Sequence, residues 1–225
     1  MGGVPEDKMQ KVRTIAVTKP VIDELTTAGD LVAYAARVSN PGNQANTETA
    51  PRLLSYLARN AHWSPFEMAH MTLEIVTTRD IARQILRHRS FAFQEFSQRY
   101  AAVDVTGPFT YRQCRLQHPT NRQASLEGAS EENQEWFKYA QDSITEAAEE
   151  LYLEALGRGI AKEQARIFLP EGLTKSTMYM AGSIRSWIHY IQLRTEAGTQ
   201  KEHREIAEMC KVELLKHFPE MEGVL

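Results

Sequence analysis

Cysteine is nearly missing: Cys114 and Cys210 are the only two in 225 residues. Two isolated thiols cannot staple a disulfide scaffold or build a thiolate metal site, and each reads as a small buried hydrophobe. Long apolar runs are missing too. No stretch approaches the roughly 20 residues needed to cross a bilayer, and no signal-peptide core opens the chain, so the expectation is a soluble, cytoplasmic protein without membrane contact. Charge of either sign is hardly in excess: 26 Lys and Arg against 29 Asp and Glu leave a formal net charge of -3. That balance argues against nucleic acid as a partner but allows a local cationic pocket. The glycine patterns of Rossmann and P-loop nucleotide sites are absent. So is the HExxH signature, and His62 and His70 do not share a helical ligand spacing; no metal is expected.

What remains is an ordinary globular composition, 42% apolar and 24% charged, in a chain long enough to bury a sizeable core. Residues 1–225 read as one domain with a frayed lead-in over 1–10. A strand is predicted over 11–19 and a helix over 31–39. Thr49 and Pro51 mark a capped helix running to about Asn60, with Leu53, Leu54 and Leu57 inward. Pro65 breaks HWSPFE. Over 68–76, Ala69, Met71, Leu73 and Ile75 alternate with polar residues, the two-residue period of a strand with one packed face. Thr77 or Thr78 caps a helix that sends Ile81, Ile85 and Leu86 to the core. Irregular chain follows through Ser125. A long helix over about 129–156 carries the stripe Trp136, Tyr139, Ile144, Ala147, Leu151 and Ala155, and Gly157 and Gly159 end it. Residues 160–169 form a short segment closed by Pro170, and 174 to about 193 a further helix. Thr199 and Glu202 match a capping box opening the last helix, which stops before Pro219. The sum is an α+β fold.

Chemistry concentrates in Arg87-His88-Arg89, followed after seven residues by Ser97 and then by Arg99. Guanidiniums gathered this closely need anionic partners. Glu95 can neutralise one, and ligand phosphates could take the rest through bidentate hydrogen bonds; a solvated basic patch is the plain alternative. Arg166, Arg185 and Arg194 lie in apolar surroundings, so they either bridge subunits or face a phosphate. Arg185 and Arg194 are nine positions apart, which at about 100° per residue puts them about 180° apart on one helix. A single small anion could hardly be gripped by both.

RHRSFAFQEFSQRY resembles the RHR-x7-S signature of the flavin-dependent thymidylate synthases. AARVS, HWSPFE, IARQILRHR, ARIFLP and SIRSWIHYIQLR, with GTQKEHREIA after them, resemble further blocks of that family in the expected order. The blocks cover most of residues 30 to 210. The resemblance implies an α+β domain with a central antiparallel sheet flanked by helices. It implies a homotetramer whose sites, shared between subunits, hold FAD and dUMP. NADPH reduces the flavin, methylenetetrahydrofolate donates the carbon, and dTMP leaves, without a cysteine nucleophile. By the same resemblance Arg87, His88 and Arg89 line the flavin, with Ser39, His62, Ser64, Ser183, Arg185 and His189. Glu95 is shared between the cofactor and dUMP. Gln84, Phe96, Ser97, Gln98, Arg99 and Arg166 fall at the dUMP site. Arg194, set against the pyrimidine, and His62, near where folate stacks, are the catalytic candidates. Met68, Gln94, Ser183, His189 and Gly198 depart from residues common in the family. The competing functions are a dUMP- and flavin-binding regulator without catalysis, and an RNA-binding scaffold.

Replacing Cys114 and Cys210 together with alanine is expected to leave methyl transfer intact. A folded double variant that binds both ligands but forms no dTMP would contradict the cofactor-led chemistry.

Overall fold

The computed structural model describes residues 10–104 and 109–225. The expected lead-in lies outside the described residues apart from Gln10, which is buried. Strand β1 (Lys11–Val17) leads to helix α1 (Ala28–Ala36), which starts earlier than its sequence pattern indicated. The reason is a reciprocal cap: Asp30 N–H donates to Thr27 Oγ1 (3.0 Å) and Thr27 N–H donates to Asp30 Oδ2 (2.8 Å). Helix α2 (Ala50–Arg59) follows with Thr49 at its cap position, yet the Thr49 hydroxyl accepts from Arg37 Nη2 (2.7 Å) instead of capping. Arg37 also donates to the Asn46 carbonyl, so its buried guanidinium ties the loop after α1 to the start of α2.

Helix α2 ends on a residue that strains to be there. Ala61 has φ 56°, while His62 N–H reaches back to the Leu57 carbonyl (2.9 Å) and Ala61 N–H to that of Ala58 (3.2 Å). This is the Schellman closure, with alanine where glycine is usual.

Strand β2 (His70–Thr78) buries Met71, Leu73 and Ile75 on one face, as its two-residue period predicts. Helix α3 (Arg79–Ile85) buries Ile81 and Ile85. Leu86, expected inward, is exposed because the helix has already ended. The chain then forms strand β3 (Ala92–Glu95), a short strand within the segment expected only to leave helical geometry, and a two-residue hairpin, β4 (Leu116–Gln117) and β5 (Ser125–Leu126).

Helix α4 (Glu131–Gly157) corrects the predicted stripe. Trp136 and Tyr139 are 64% and 70% exposed, and Ile144, Ala147 and Leu151 face outward as well. The buried face is Gln141, Thr145, Ala148, Tyr152 and Ala155. A search for apolar periodicity misses it because half its grip is polar: Gln141 accepts from Arg112 N–H (2.7 Å) and donates to its carbonyl (3.0 Å), and Thr145 Oγ1 meets the Tyr111 hydroxyl at 3.0 Å. Gly159, at φ 77°, closes the helix as expected. Helix α5 (Lys162–Ala165) packs on α4 around Tyr152, Ala165 and Leu169.

Residues 175–183 form strand β6 (Lys175–Ser183), not the first half of a long helix. Ser176, Met178, Met180 and Gly182 are buried and the residues between them less so. That is a period of two, masked by residues common in helices. Helix α6 (Ile184–Arg194) begins only after it. Strand order is β1-β2-β6-β3, antiparallel throughout, with Leu73 opposite Met180 and Ile75 opposite Met178. Gly182 sits opposite Met71, and a Cβ there would lie 2.5 Å from Phe91. The bare backbone lets Phe91 lie against β6 and pack on Trp187 (4.8 Å between ring centroids), whose Nε1–H donates to the Met71 carbonyl (2.9 Å). Helix α7 (Lys201–Leu215) buries Ile206, Cys210 and Leu214 in the same core. Its cap position is Gln200, not Thr199, and the expected capping box does not form: the Glu202 carboxylate is bound by Gln200 Nε2 (2.9 Å) and Arg115 (2.7 Å).

Ala61→Gly is expected to stabilise the protein by about 1 kcal/mol by relieving the left-handed backbone. The measurement is a urea unfolding curve, with a higher midpoint at unchanged slope.

Candidate functional site

The Arg87-His88-Arg89 turn is made by α3 tightening as it ends. Arg87 N–H donates to the Gln84 carbonyl (3.4 Å) and His88 N–H to that of Ile85 (3.0 Å). This rotation sends Arg87 and Arg89 outward and His88 inward. Among the described residues neither guanidinium has an ion pair or hydrogen-bond partner. His88 stands edge-on to Tyr190 (4.9 Å) and accepts from Arg194 Nε at 2.9 Å. Accepting at Nε2 places its proton on Nδ1. Burial, then Arg194, then His189 pull its pKa down to about 4, so the ring is neutral at pH 7.

On α6, Arg185 and His189 are one turn apart, both exposed, and line a cavity of about 430 Å³ with Trp63, Glu67, Ser90 and Gln192. Arg185 Nη1 donates to Glu67 Oε1 (2.9 Å). The Ser183 hydroxyl, then Arg185, hold the Glu67 carboxyl below its ordinary range against the effect of burial. Ser183 is itself buried at the start of α6, where its Oγ accepts from Ser186 N–H (3.2 Å). Arg194 turns to the other side of the helix, toward His88, as the half-turn separation requires. The expectation that Arg185 is buried is corrected: it is exposed, and Arg166 only half-buried. His62, Ser64 and Ser39 are exposed, His62 in an edge contact with Tyr56 at 6.1 Å between centroids.

The dUMP candidates divide between two places. Glu95, expected to neutralise an arginine of the RHR motif, accepts instead from the Ser176 hydroxyl (2.7 Å) and lies 3.4 Å from Arg79 Nη1. Arg99 and Arg166 converge on Glu163 of α5: Arg99 Nε is 3.3 Å from its carboxylate, and Arg166 Nε donates to its carbonyl at 3.2 Å. The Ser97 carbonyl accepts from the N–H groups of Tyr100 and Ala101 (3.1 and 3.0 Å), fixing a turn that exposes Ser97 and Phe96. Gln98 is buried with Nε2 unpartnered, a donor lacking an acceptor among the described residues. Gln84 is half-buried and donates from Nε2 to Gln200 Oε1 (2.8 Å).

Sequence reading passed over Tyr190, Gln200 and His203. His203 is fully buried, 6.4 Å from His88 between ring centroids, and burial, then Arg194 and His88, bring its pKa down to about 3. A histidine on the inward face of an amphipathic helix is the signal that could have found it.

The fold is similar to that of a solved pyrimidine-nucleotide methylase. The structure superposes with a TM-score of 0.79 at 27% identity on a UMP/dUMP methylase, PolB, from Streptomyces cacaoi bound with 5-Br dUMP, covering 96% of this chain and 94% of that one. Residues 20–220 match the family described as Thymidylate synthase complementing protein. The chain is 53% identical over 213 residues to a probable flavin-dependent thymidylate synthase of Paramecium bursaria Chlorella virus 1, covering 95% of this chain and 97% of that protein. It is 50% identical over 217 residues to the flavin-dependent thymidylate synthase of Synechocystis sp., covering 95% and 98%. It belongs to the flavin-dependent thymidylate synthase family.

Acid should destabilise the fold in a defined window. The unfolded chain takes up protons on histidine near pH 6.5, whereas folded His88 and His203 resist until about pH 4 and 3, so stability falls as pH drops through that range. Burial opposes the charge on Glu202, but bonds from Arg115 and Gln200 hold its pKa near 2, and its contribution is lost as pH falls below its ordinary 4.5. Urea midpoints measured from pH 7 to 4 are expected to decline, and to decline less in His88→Gln.

Proposed function

We propose that this enzyme methylates dUMP reductively to dTMP, with FAD reduced by NADPH and methylenetetrahydrofolate as carbon donor, at sites shared between the subunits of a homotetramer. One observation carries the reading. Arg79, Arg99, Arg112, Arg115 and Arg185 each lie within 3.4 Å of a carboxylate, whereas Arg87 and Arg89 have none among the described residues; exposed Arg52, Arg59 and Arg122 have none either, but only Arg87 and Arg89 flank a half-buried imidazole. Two uncommitted guanidiniums beside an imidazole that carries no charge of its own provide forked donors for phosphate. The named activities of the relatives, and the 5-Br dUMP held by the methylase, agree with this assignment.

The residues fit a flavin dinucleotide. The cavity beside Arg185 and His189 has the size of a small-ligand site, an indole at one wall and a partly paired guanidinium at another. Arg87, Arg89, Arg185 and His189 would hold the cofactor, with Ser39, His62 and Ser64 exposed to meet it from the α1 and α2 ends. Bound FAD supplies the reducing equivalents. Every other contribution falls to the chain. The turn at Ser97, the unpartnered Gln98 amide, Arg99 and Arg166 offer donors for the dUMP phosphate, and Gln84 a further donor. Arg194, anchored through Nε, keeps its remaining N–H groups for the negative charge that develops on the pyrimidine carbonyl side as C6 is activated. Cys210 is no candidate for this work: it is fully buried and burial pushes its thiol far above the ordinary value. Ser97 has no base within hydrogen-bond reach among the described residues, which assigns it to binding.

The homotetramer reading is supported by the outward side of α4, where the large apolar side chains of Trp136, Tyr139, Ile144 and Leu151 are exposed.

Arg194→Ala is expected to lower dTMP formation by about 100-fold, roughly 3 kcal/mol, while the purified variant keeps its flavin absorption. Wild-type protein that forms no dTMP when given FAD, NADPH, methylenetetrahydrofolate and dUMP would overturn the function.

A further inference from the structure

A continuous run of hydrogen bonds crosses the core from Arg115 to Tyr190, and its polarity is fixed at one end. The Glu202 carboxylate, paired with Arg115 at 2.7 Å, can only accept, so Gln200 donates to it from Nε2 (2.9 Å). Gln200 therefore accepts at Oε1, and Gln84 donates there from Nε2 (2.8 Å). That leaves Gln84 Oε1 facing His203 Nδ1 at 3.4 Å, where the imidazole must be the donor. Its bare Nε2 lies 3.1 Å from the Tyr190 hydroxyl, which donates. Every step has one direction. Both ends of the Gln84 amide are thereby engaged: its oxygen is consumed, one N–H is consumed, and one N–H is left.

We infer that His203 is a positioning residue that locks the Gln84 amide so that it offers an N–H, never its carbonyl oxygen, to an acceptor oxygen of the bound nucleotide. The inference rests on the reading that Gln84 faces dUMP. His203 and Tyr190 are both fully buried, so water cannot replace either in the chain. Without the imidazole, the amide is held only through Gln200 and its oxygen is free to turn.

The test is a dUMP titration of the FAD-loaded enzyme. Gln84→Ala is expected to weaken dUMP binding about tenfold; His203→Leu is expected to weaken it about five- to tenfold, with flavin content and kcat at saturating dUMP little changed. His203→Gln, whose amide can both donate to Gln84 and accept from Tyr190, should recover affinity to within about threefold of wild type. In the Gln84→Ala background, His203→Leu should cost nothing more. If Gln84→Ala binds dUMP normally, the placement of Gln84 at the substrate fails and the inference with it. If Gln84→Ala weakens binding but His203→Leu does not, or the two effects add, the inference alone fails. Nitrogen-15 shifts of His203 in the wild-type enzyme give a reading independent of any variant's folding: a proton on Nδ1 is expected, and one on Nε2 overturns the lock.

Discussion

A neutral imidazole accepting a hydrogen bond from a guanidinium holds the site together. His88 lies at the end of α3 and Arg194 at the end of α6, 106 positions apart in sequence, and the 2.9 Å bond between them joins the two helix ends. The bond exists only while His88 is uncharged. Burial and the adjacent cation keep it so, and the edge contact with Tyr190 supplies the low-polarity wall. Charging the imidazole would place two cations in contact and remove the acceptor in one step. The arginines on either side escape this constraint because the turn that buries His88 necessarily exposes them.

The scaffold behind that contact is aromatic and depends on one missing side chain. Phe91 lies against the bare backbone of Gly182, Trp187 packs on Phe91, and Tyr190 meets Trp187, Phe91 and His88. A side chain at position 182 would move Phe91, and with it the first link of the series. The glycine is thus spent on a close approach inside a central strand, where its conformational freedom is otherwise a cost.

Legibility from sequence followed the source of each element's stability. Strand β2 was readable because its grip is apolar and alternates, and α3 because Ile81 and Ile85 mark its buried face. Strand β6 was not, because methionine, tyrosine and alanine at its positions suit a helix equally well, and only pairing to β2 and β3 decides. The buried face of α4 was hidden for the complementary reason: glutamine and threonine make it, through hydrogen bonds to chain that is far away in sequence. Within the site, the cationic motif was visible as a density of guanidiniums, and the opposed directions of Arg185 and Arg194 followed from helix geometry alone. The pairings were not visible. Glu95 with Arg79, and Arg99 with Glu163, are long-range choices that local spacing does not encode.

Those pairings also separate the committed guanidiniums of the cationic region from the uncommitted ones. Arg99 and Arg166 are drawn toward α5 by Glu163, while Arg87 and Arg89 project from the end of α3 with no carboxylate partner among the described residues. Arg79, Arg112 and Arg115 each meet a carboxylate in partly buried positions, whereas Arg87 and Arg89, either side of His88, meet none among the described residues, which is what the proposed phosphate site rests on. The apolar side of α4 is a second unmet demand of a different kind, met by burial rather than by charge. On the proposed homotetramer one assembly would answer both, the subunits that cover α4 also closing over the RHR turn.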